Sequence, residues 1–221
     1  MQNRPGSTAR DATTTTRDAA TTTSLDHGGL RASPAGPPDS VNRLRATGML
    51  DGARGIASPN HDARPEGVVP ELLVIHNISL PPRNFGGPGI IELFTNQLDP
   101  GEHPYYATIA ALKVSSHLLI RRDGDVIQFV GCDHRAWHAG VSSWNGRERC
   151  NDFSIGIELE GTDEMPFTYA QYAKLIGVAQ VLMRAYPIRY AAGHSDVAPE
   201  RKTDPGPLFK WKLFRASTGL L

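Results

Sequence analysis

Ser154-Ile155-Gly156-Ile157-Glu158-Leu159-Glu160 is the stretch on which the fold turns. Successive side chains of a strand point to opposite faces. Ile155, Ile157 and Leu159 therefore share one face, and Ser154, Gly156, Glu158 and Glu160 the other. The spacing predicts a strand with an apolar back and an acidic front. Just downstream the period changes. Thr168, with Gln171 three residues on, has the pattern of a capping box, and Tyr172, Leu175, Ile176, Ala179 and Met183 recur at helical spacing until Pro187 stops the run. Upstream, Leu72-Leu73-Val74-Ile75 is a continuous apolar run after Pro70 that ends at His76. Its short length and branched residues suit a strand buried on both faces.

Further out, the runs at 114–121 and 126–130 flank Arg122-Asp123-Gly124-Asp125. Asp-Gly between two such runs signals a hairpin, because Gly accepts the positive φ of a tight turn. Residues 90–98 have helical spacing after a Pro/Gly-rich loop at 81–89. Residues 188–192 read as a short strand leading through Gly193 to His194, and a last helix is expected from Pro207 through Trp211 to Phe214. Strands alternate with helices, while the hairpin makes the sheet mixed. The expectation is an α/β fold: a single domain with a central mixed β-sheet flanked by helices.

That domain is expected over residues 43–221. Residues 1–42 differ in kind: they hold Thr13 to Thr16 and Thr21 to Thr23, and the first aromatic residue of the chain is Phe85. So polar a segment buries too little apolar surface to offset its ordering entropy, and it reads as a disordered Thr-rich tail. It has no apolar run of the kind a secretory signal needs. The whole chain carries 23 basic and 23 acidic residues, so no net field favours nucleic acid or an anionic membrane as partner. No run reaches the roughly 18 apolar residues of a membrane span. The two cysteines, Cys132 and Cys150, do not make a disulfide scaffold and read as free thiols of a cytoplasmic protein.

Among the eight histidines, His27, His61, His103 and His134 lie in polar or loop sequence and read as exposed and idle. His76 and His194 each end a strand, where sites in α/β folds gather. Asp204 lies ten residues beyond His194. Two imidazoles and a carboxylate, with a fourth position left for water, are a common set for catalytic zinc, although this spacing alone is weak. In an extended segment Lys202 faces the same way as Asp204, where a cation can stabilise the oxyanion of an attacked carbonyl. A carboxylate base is available at Glu158 or Glu160; both share the front of their strand and spacing does not choose between them. His117 and His138 read equally well as cleft residues or as buried hydrogen-bonded partners of a site. Trp137 reads as core.

These residues sit in longer motifs. His76-Asn77-Ile78-Ser79-Leu80-Pro81-Pro82, Arg135-Ala136-Trp137-His138-Ala139-Gly140, the run 146–161 and Ala198-Pro199-Glu200-Arg201-Lys202-Thr203-Asp204-Pro205-Gly206-Pro207 together resemble the type 2 N-acetylmuramoyl-L-alanine amidases, in their cytosolic cell-wall-recycling branch. The resemblance runs from about residue 45 to 216 and leaves the tail out. It implies the fold shared with peptidoglycan recognition proteins, and one Zn²⁺ per chain on His76, His194 and Asp204. It implies Glu158 as general base, Lys202 assisting at the transition state, and a small-molecule muropeptide substrate contacted by Asn77 and Arg149. Lys113 stands where the family carries Arg, a cation without the bidentate fork. The wider family often uses Cys as third ligand, where this chain has Asp204. The resemblance further implies hydrolysis of the amide between (1,6-anhydro-)N-acetylmuramic acid and L-alanine. Two other readings share the fold: a non-catalytic peptidoglycan-binding module, which would typically lack a zinc ligand, and an amidase of the intact cell wall, which would need export.

Overall fold

The computed structural model describes residues 38–221 of the chain. The Thr-rich tail expected at 1–42 lies almost wholly outside the described residues, and its boundary falls inside the first helix, α1 (Pro38–Thr47). There follow β1 (Arg54–Gly55), β2 (His61–Ala63), β3 (Leu72–Ile78), α2 (Gly89–Phe94) and α3 (Pro104–Ile109). The middle of the chain forms β4 (Leu118–Ile120), β5 (Val126–Gln128), β6 (His134–Ala136), β7 (Ser143–Trp144), β8 (Arg147–Glu148) and β9 (Ser154–Glu160). It ends with α4 (Tyr169–Ala185), β10 (Tyr190–Gly193), α5 (His194–Val197) and α6 (Trp211–Thr218).

The main sheet has six strands in the order β1-β5-β4-β9-β3-β10. β3 pairs in parallel with β9 and β10, β9 in parallel with β4, and β4 with β5 antiparallel across the expected hairpin, where Gly124 takes φ +92°. The sheet is mixed, as the sequence predicts. β2–β6 and β7–β8 form two small antiparallel ribbons that the sequence pattern did not signal.

The back of the sheet is an apolar core. Leu73, Ile75, Ile155, Ile157 and Leu159 pack against Tyr172, Leu175, Ile176, Ala179 and Leu182 of α4, with Leu44 of α1 and Phe214 of α6 closing the cluster. Each fully buried aliphatic side chain there contributes roughly 1.5–3 kcal/mol. The capping box forms as predicted, and the same Gln171 reaches past it: its side-chain amide donates to the carbonyls of Ile120 (3.2 Å) and Glu160 (2.9 Å). One residue thus caps α4 and ties it to the ends of β4 and β9. At the far end of α4, Arg45 donates to the carbonyl of Arg184 at 2.6 Å, using a side chain of α1 to satisfy a terminal carbonyl.

The front departs from the pattern. Every residue of β9 is buried, including Ser154, Glu158 and Glu160 of its polar front. α2 and α3 cover the front at β4 and β5 through Leu93, Phe94 and Tyr106, while Ala139, Cys150, Phe153 and Val197 cover it at β3 and β10. Between these clusters the strands present polar groups to a cavity. Three boundaries also move. β3 continues to Ile78, so His76 lies inside the strand, two residues before its end. The helix expected at 90–98 ends at Phe94, and the last helix begins at Trp211 instead of Pro207. No helix among the described residues is long and apolar enough to cross a membrane. Both cysteines are free and buried, and burial pushes the Cys132 thiol up to about 12.

Candidate metal centre

Parallel pairing sets the site. His76 stands opposite Glu158, and Ile75 stands opposite both Ile157 and Gly193, so His194, the next residue after Gly193, emerges beside His76. The segment 198–204 then folds back on α5: the N–H of Ser195 donates to the carbonyl of Asp204 at 2.9 Å. Gly193 allows this return, since a Cβ there would lie 2.8 Å from Cδ of Pro205.

Three ligand-type atoms converge as a result. His76 Nδ1 lies 3.0 Å from His194 Nδ1 and 3.0 Å from Asp204 Oδ2, and His194 Nδ1 lies 3.1 Å from the same oxygen. These separations approach the ~3.3 Å edge of a tetrahedron with bonds of about 2.0 Å, the length of zinc–nitrogen and zinc–oxygen bonds. Protons alone do not account for the triangle, because a nitrogen–nitrogen contact and two nitrogen–oxygen contacts share three atoms. A cation satisfies all three at once. His76 and His194 are buried and Asp204 is half-buried. Burial drives His76 down to about 4, against the opposing pull of Asp204. Burial pushes Asp204 upward, but its hydrogen bonds with His194 and His76 outweigh this and hold it well below the usual carboxylate range. A neutral imidazole and an ionised carboxylate are the forms that ligate metals.

The cluster opens into a cavity of about 630 Å³. Glu158 lines it, is 8% exposed, and has an Oε2 without any hydrogen-bond partner. Burial, reinforced by the charge of Asp204, pushes its pKa well above the ordinary carboxylate value. Lys202 and Asn77 line the same cavity; Asn77 donates to Asp163 Oδ1 at 2.6 Å. Glu160 is 1% exposed and fully engaged: its oxygens accept from Arg121 Nη1 at 2.6 Å, the N–H of Gly86 at 2.7 Å and the N–H of Arg122 at 3.2 Å.

The remaining expected contacts divide. Lys113 is exposed at the rim, between the cavity-lining Leu112 and Val114. Arg149 is exposed, takes a left-handed φ of 62°, pairs with Asp152 and does not line the cavity. Trp137, expected in the core, is half-buried on the cavity wall beside His138. His117 is buried beneath the sheet face, its Nδ1 accepting from the N–H of Gly156 at 3.0 Å. His103, expected to be idle, caps α3 by accepting from the N–H of Tyr105. Sequence reading missed the cavity wall made by Leu80, Tyr105 and Ile109, and the Arg83–Glu164 ion pair at its edge. Pro104, the residue directly after His103 and the first of the helix, was the available signal for α3.

The chain belongs to the N-acetylmuramoyl-L-alanine amidase family, whose model matches residues 66–207, and it is an amidase of that family. Within it, the chain is 61% identical over 175 residues to the 1,6-anhydro-N-acetylmuramyl-L-alanine amidase AmpD of Enterobacter cloacae, covering 78% of this chain and 94% of that one. The crystal structure of a selenomethionine AmpD derivative superposes with a TM-score of 0.76 at 60% identity, covering 77% of this chain and 97% of that one. The amidase AmiD of E. coli, solved with anhydro-N-acetylmuramic acid-L-Ala-D-γ-Glu-L-Lys, aligns at a TM-score of 0.51 and 32% identity, over 71% of this chain and 61% of that one.

Proposed function

We propose that this chain is a zinc-dependent cytoplasmic amidase that hydrolyses the bond between the lactyl carbonyl of 1,6-anhydro-N-acetylmuramic acid and the amine of L-alanine, in cell-wall recycling. The observation that carries this reading is the convergence of His76 Nδ1, His194 Nδ1 and Asp204 Oδ2 in the wall of a cavity that Glu158, a buried carboxylate with an unpartnered oxygen, also lines. The identity with AmpD proteins over most of the chain supports the choice of substrate.

His76, His194 and Asp204 would hold the ion. When bound, zinc supplies Lewis-acid chemistry, polarising a carbonyl and making water acidic enough to react near neutral pH. Glu158 takes the proton of the attacking water on its carboxylate and returns it to the alanine nitrogen as the amide bond breaks. Lys202 offsets the negative charge that grows on the carbonyl oxygen, a contact whose loss typically costs about 10²–10³ in turnover. Asn77, held by Asp163, offers a fixed amide to the substrate. Lys113 and Arg149, outside the cavity lining, would reach only parts of the muropeptide that extend beyond it.

The test is to incubate protein purified without chelator with soluble anhydro-muropeptides and with intact sacculi, separate the products by mass, and measure its metal content. The expected result is about one zinc per chain and release of peptide from the soluble substrate. Full activity without metal would overturn the zinc assignment; cleavage of sacculi alone would overturn the substrate. Binding without cleavage would favour the non-catalytic module.

A further inference from the structure

The two imidazoles of the cluster rest their second nitrogens on adjacent residues, His138 and Ala139. His194 Nε2 lies 3.2 Å from the carbonyl of Ala139, and His76 Nε2 lies 3.0 Å from His138 Nδ1. A carbonyl only accepts, so His194 carries its proton on Nε2 and turns a bare Nδ1 toward Asp204. For His76 to do the same, His138 Nδ1 must be an acceptor. The surroundings of His138 make it one. Its Nε2 faces Ser154 Oγ at 3.2 Å, and the hydroxyl of Ser154 donates to the carbonyl of Cys150 at 2.6 Å. Ser154 therefore accepts from His138, whose proton sits on Nε2, and Nδ1 is left to receive the Nε2–H of His76. Two backbone carbonyls, Ala139 and Cys150, thus set the direction of every proton behind the cluster.

The supporting stretch is itself clamped. Asn151 Oδ1 accepts from the N–H of His138 at 3.2 Å and of Ala139 at 2.8 Å. The half-buried Arg64 donates to the carbonyls of Asn151 (3.0 Å), Asp152 (2.8 Å) and Ser154 (2.8 Å). Gly156 gives the His138 ring its place, since a Cβ there would lie 2.5 Å from Cγ of His138. Arg201 donates to the carbonyl of Ala139 at 3.1 Å, joining the segment that carries Lys202 and Asp204 to the same support.

We propose that His138 and Asn151 are positioning residues that hold both ligand imidazoles in the Nε2–H tautomer, so that two bare Nδ1 atoms face Asp204. This rests on the metal reading above. Groups behind metal ligands typically alter metal affinity by about 10–100-fold.

The experiment measures Zn²⁺ affinity by chelator competition, and the visible spectrum of Co²⁺-loaded protein, for the parent and for His138→Leu, His138→Asn, Asn151→Ala and Asn151→Asp. His138→Leu and Asn151→Ala should weaken Zn²⁺ binding by about 10–100-fold and shift the Co²⁺ bands, with metal-free urea midpoints near the parent's. His138→Asn, whose Oδ1 replaces Nδ1, and Asn151→Asp, which keeps the acceptor, should recover the parent's affinity and spectrum. Unchanged affinity in His138→Leu and Asn151→Ala would overturn the inference, as would a loss that neither conservative variant recovers. A parent chain that takes up no Zn²⁺ would instead fell the metal reading and this inference with it. Should either disruptive variant fail to fold, long-range ¹H–¹⁵N spectra of the zinc-loaded parent decide. Nε2–H is expected on His76, His138 and His194, and an Nδ1–H on any of them overturns the proposal.

Discussion

Glu158 and Glu160 stand two residues apart on one face of β9, both buried, yet their surroundings oppose each other. Around Glu160, the hairpin residue Arg121 and the N–H groups of Gly86 and Arg122 occupy both oxygens. Around Glu158, the covering elements part and leave a cavity, and one oxygen has no partner. A buried carboxylate that is fully hydrogen-bonded joins elements together; one left unsatisfied costs stability and keeps its reactivity. The contrast extends to the whole sheet, whose back is one apolar core while its front presents polar groups between two apolar clusters.

Three measurements would break or sharpen that contrast. The largest expected effect is on turnover: Glu158→Gln should lower kcat by about 10²–10⁴ while zinc content and the urea midpoint stay at or above the parent's. Glu160→Gln should do the reverse. It leaves Arg121 buried without a counter-charge, so unfolding stability should drop by about 3–5 kcal/mol while the folded fraction keeps its kcat. If the two phenotypes exchange places, the wrong carboxylate has been assigned to the chemistry.

The smallest effect is the pH dependence of the metal-free protein. Burial holds His76 at about 4, and His117 and His138 well below their ordinary value. All three are neutral when folded but protonate in the unfolded chain below about 6.5, so the unfolded state binds more protons there. Stability should be full above 6.5 and fall as the pH drops from 6.5 toward 4. Glu158, whose pKa is raised, works the other way: in that window the folded state keeps a proton the unfolded chain has lost. Three imidazoles outweigh one carboxyl, so the urea midpoint in chelator should fall between pH 7 and pH 5, and fall more steeply in Glu158→Gln. A midpoint that rises on acidification would contradict the burial of these histidines.

Much of this was legible in the residues. Alternation in 154–160, the capping box at Thr168 and Gln171, and Asp-Gly in the hairpin are local signals, and each produced the element it predicted. The pattern of strand-end histidines also selected the pair that the structure brings together. Alternation could not see that the acidic front of β9 is covered, because the covering helices α2 and α3 are short and lie far off in sequence. Nor could it find the carbonyls of Ala139 and Cys150, since backbone acceptors leave no mark in a sequence.

The sequence by itself determined which side chains share a face and which stand near strand ends, because strand period depends on near neighbours and apolar pattern. Only the tertiary structure decided what each polar group meets on that face. Glu158 and Glu160 are equivalent by period; Arg121, brought by a hairpin, satisfies one, and a gap between two apolar clusters leaves the other open.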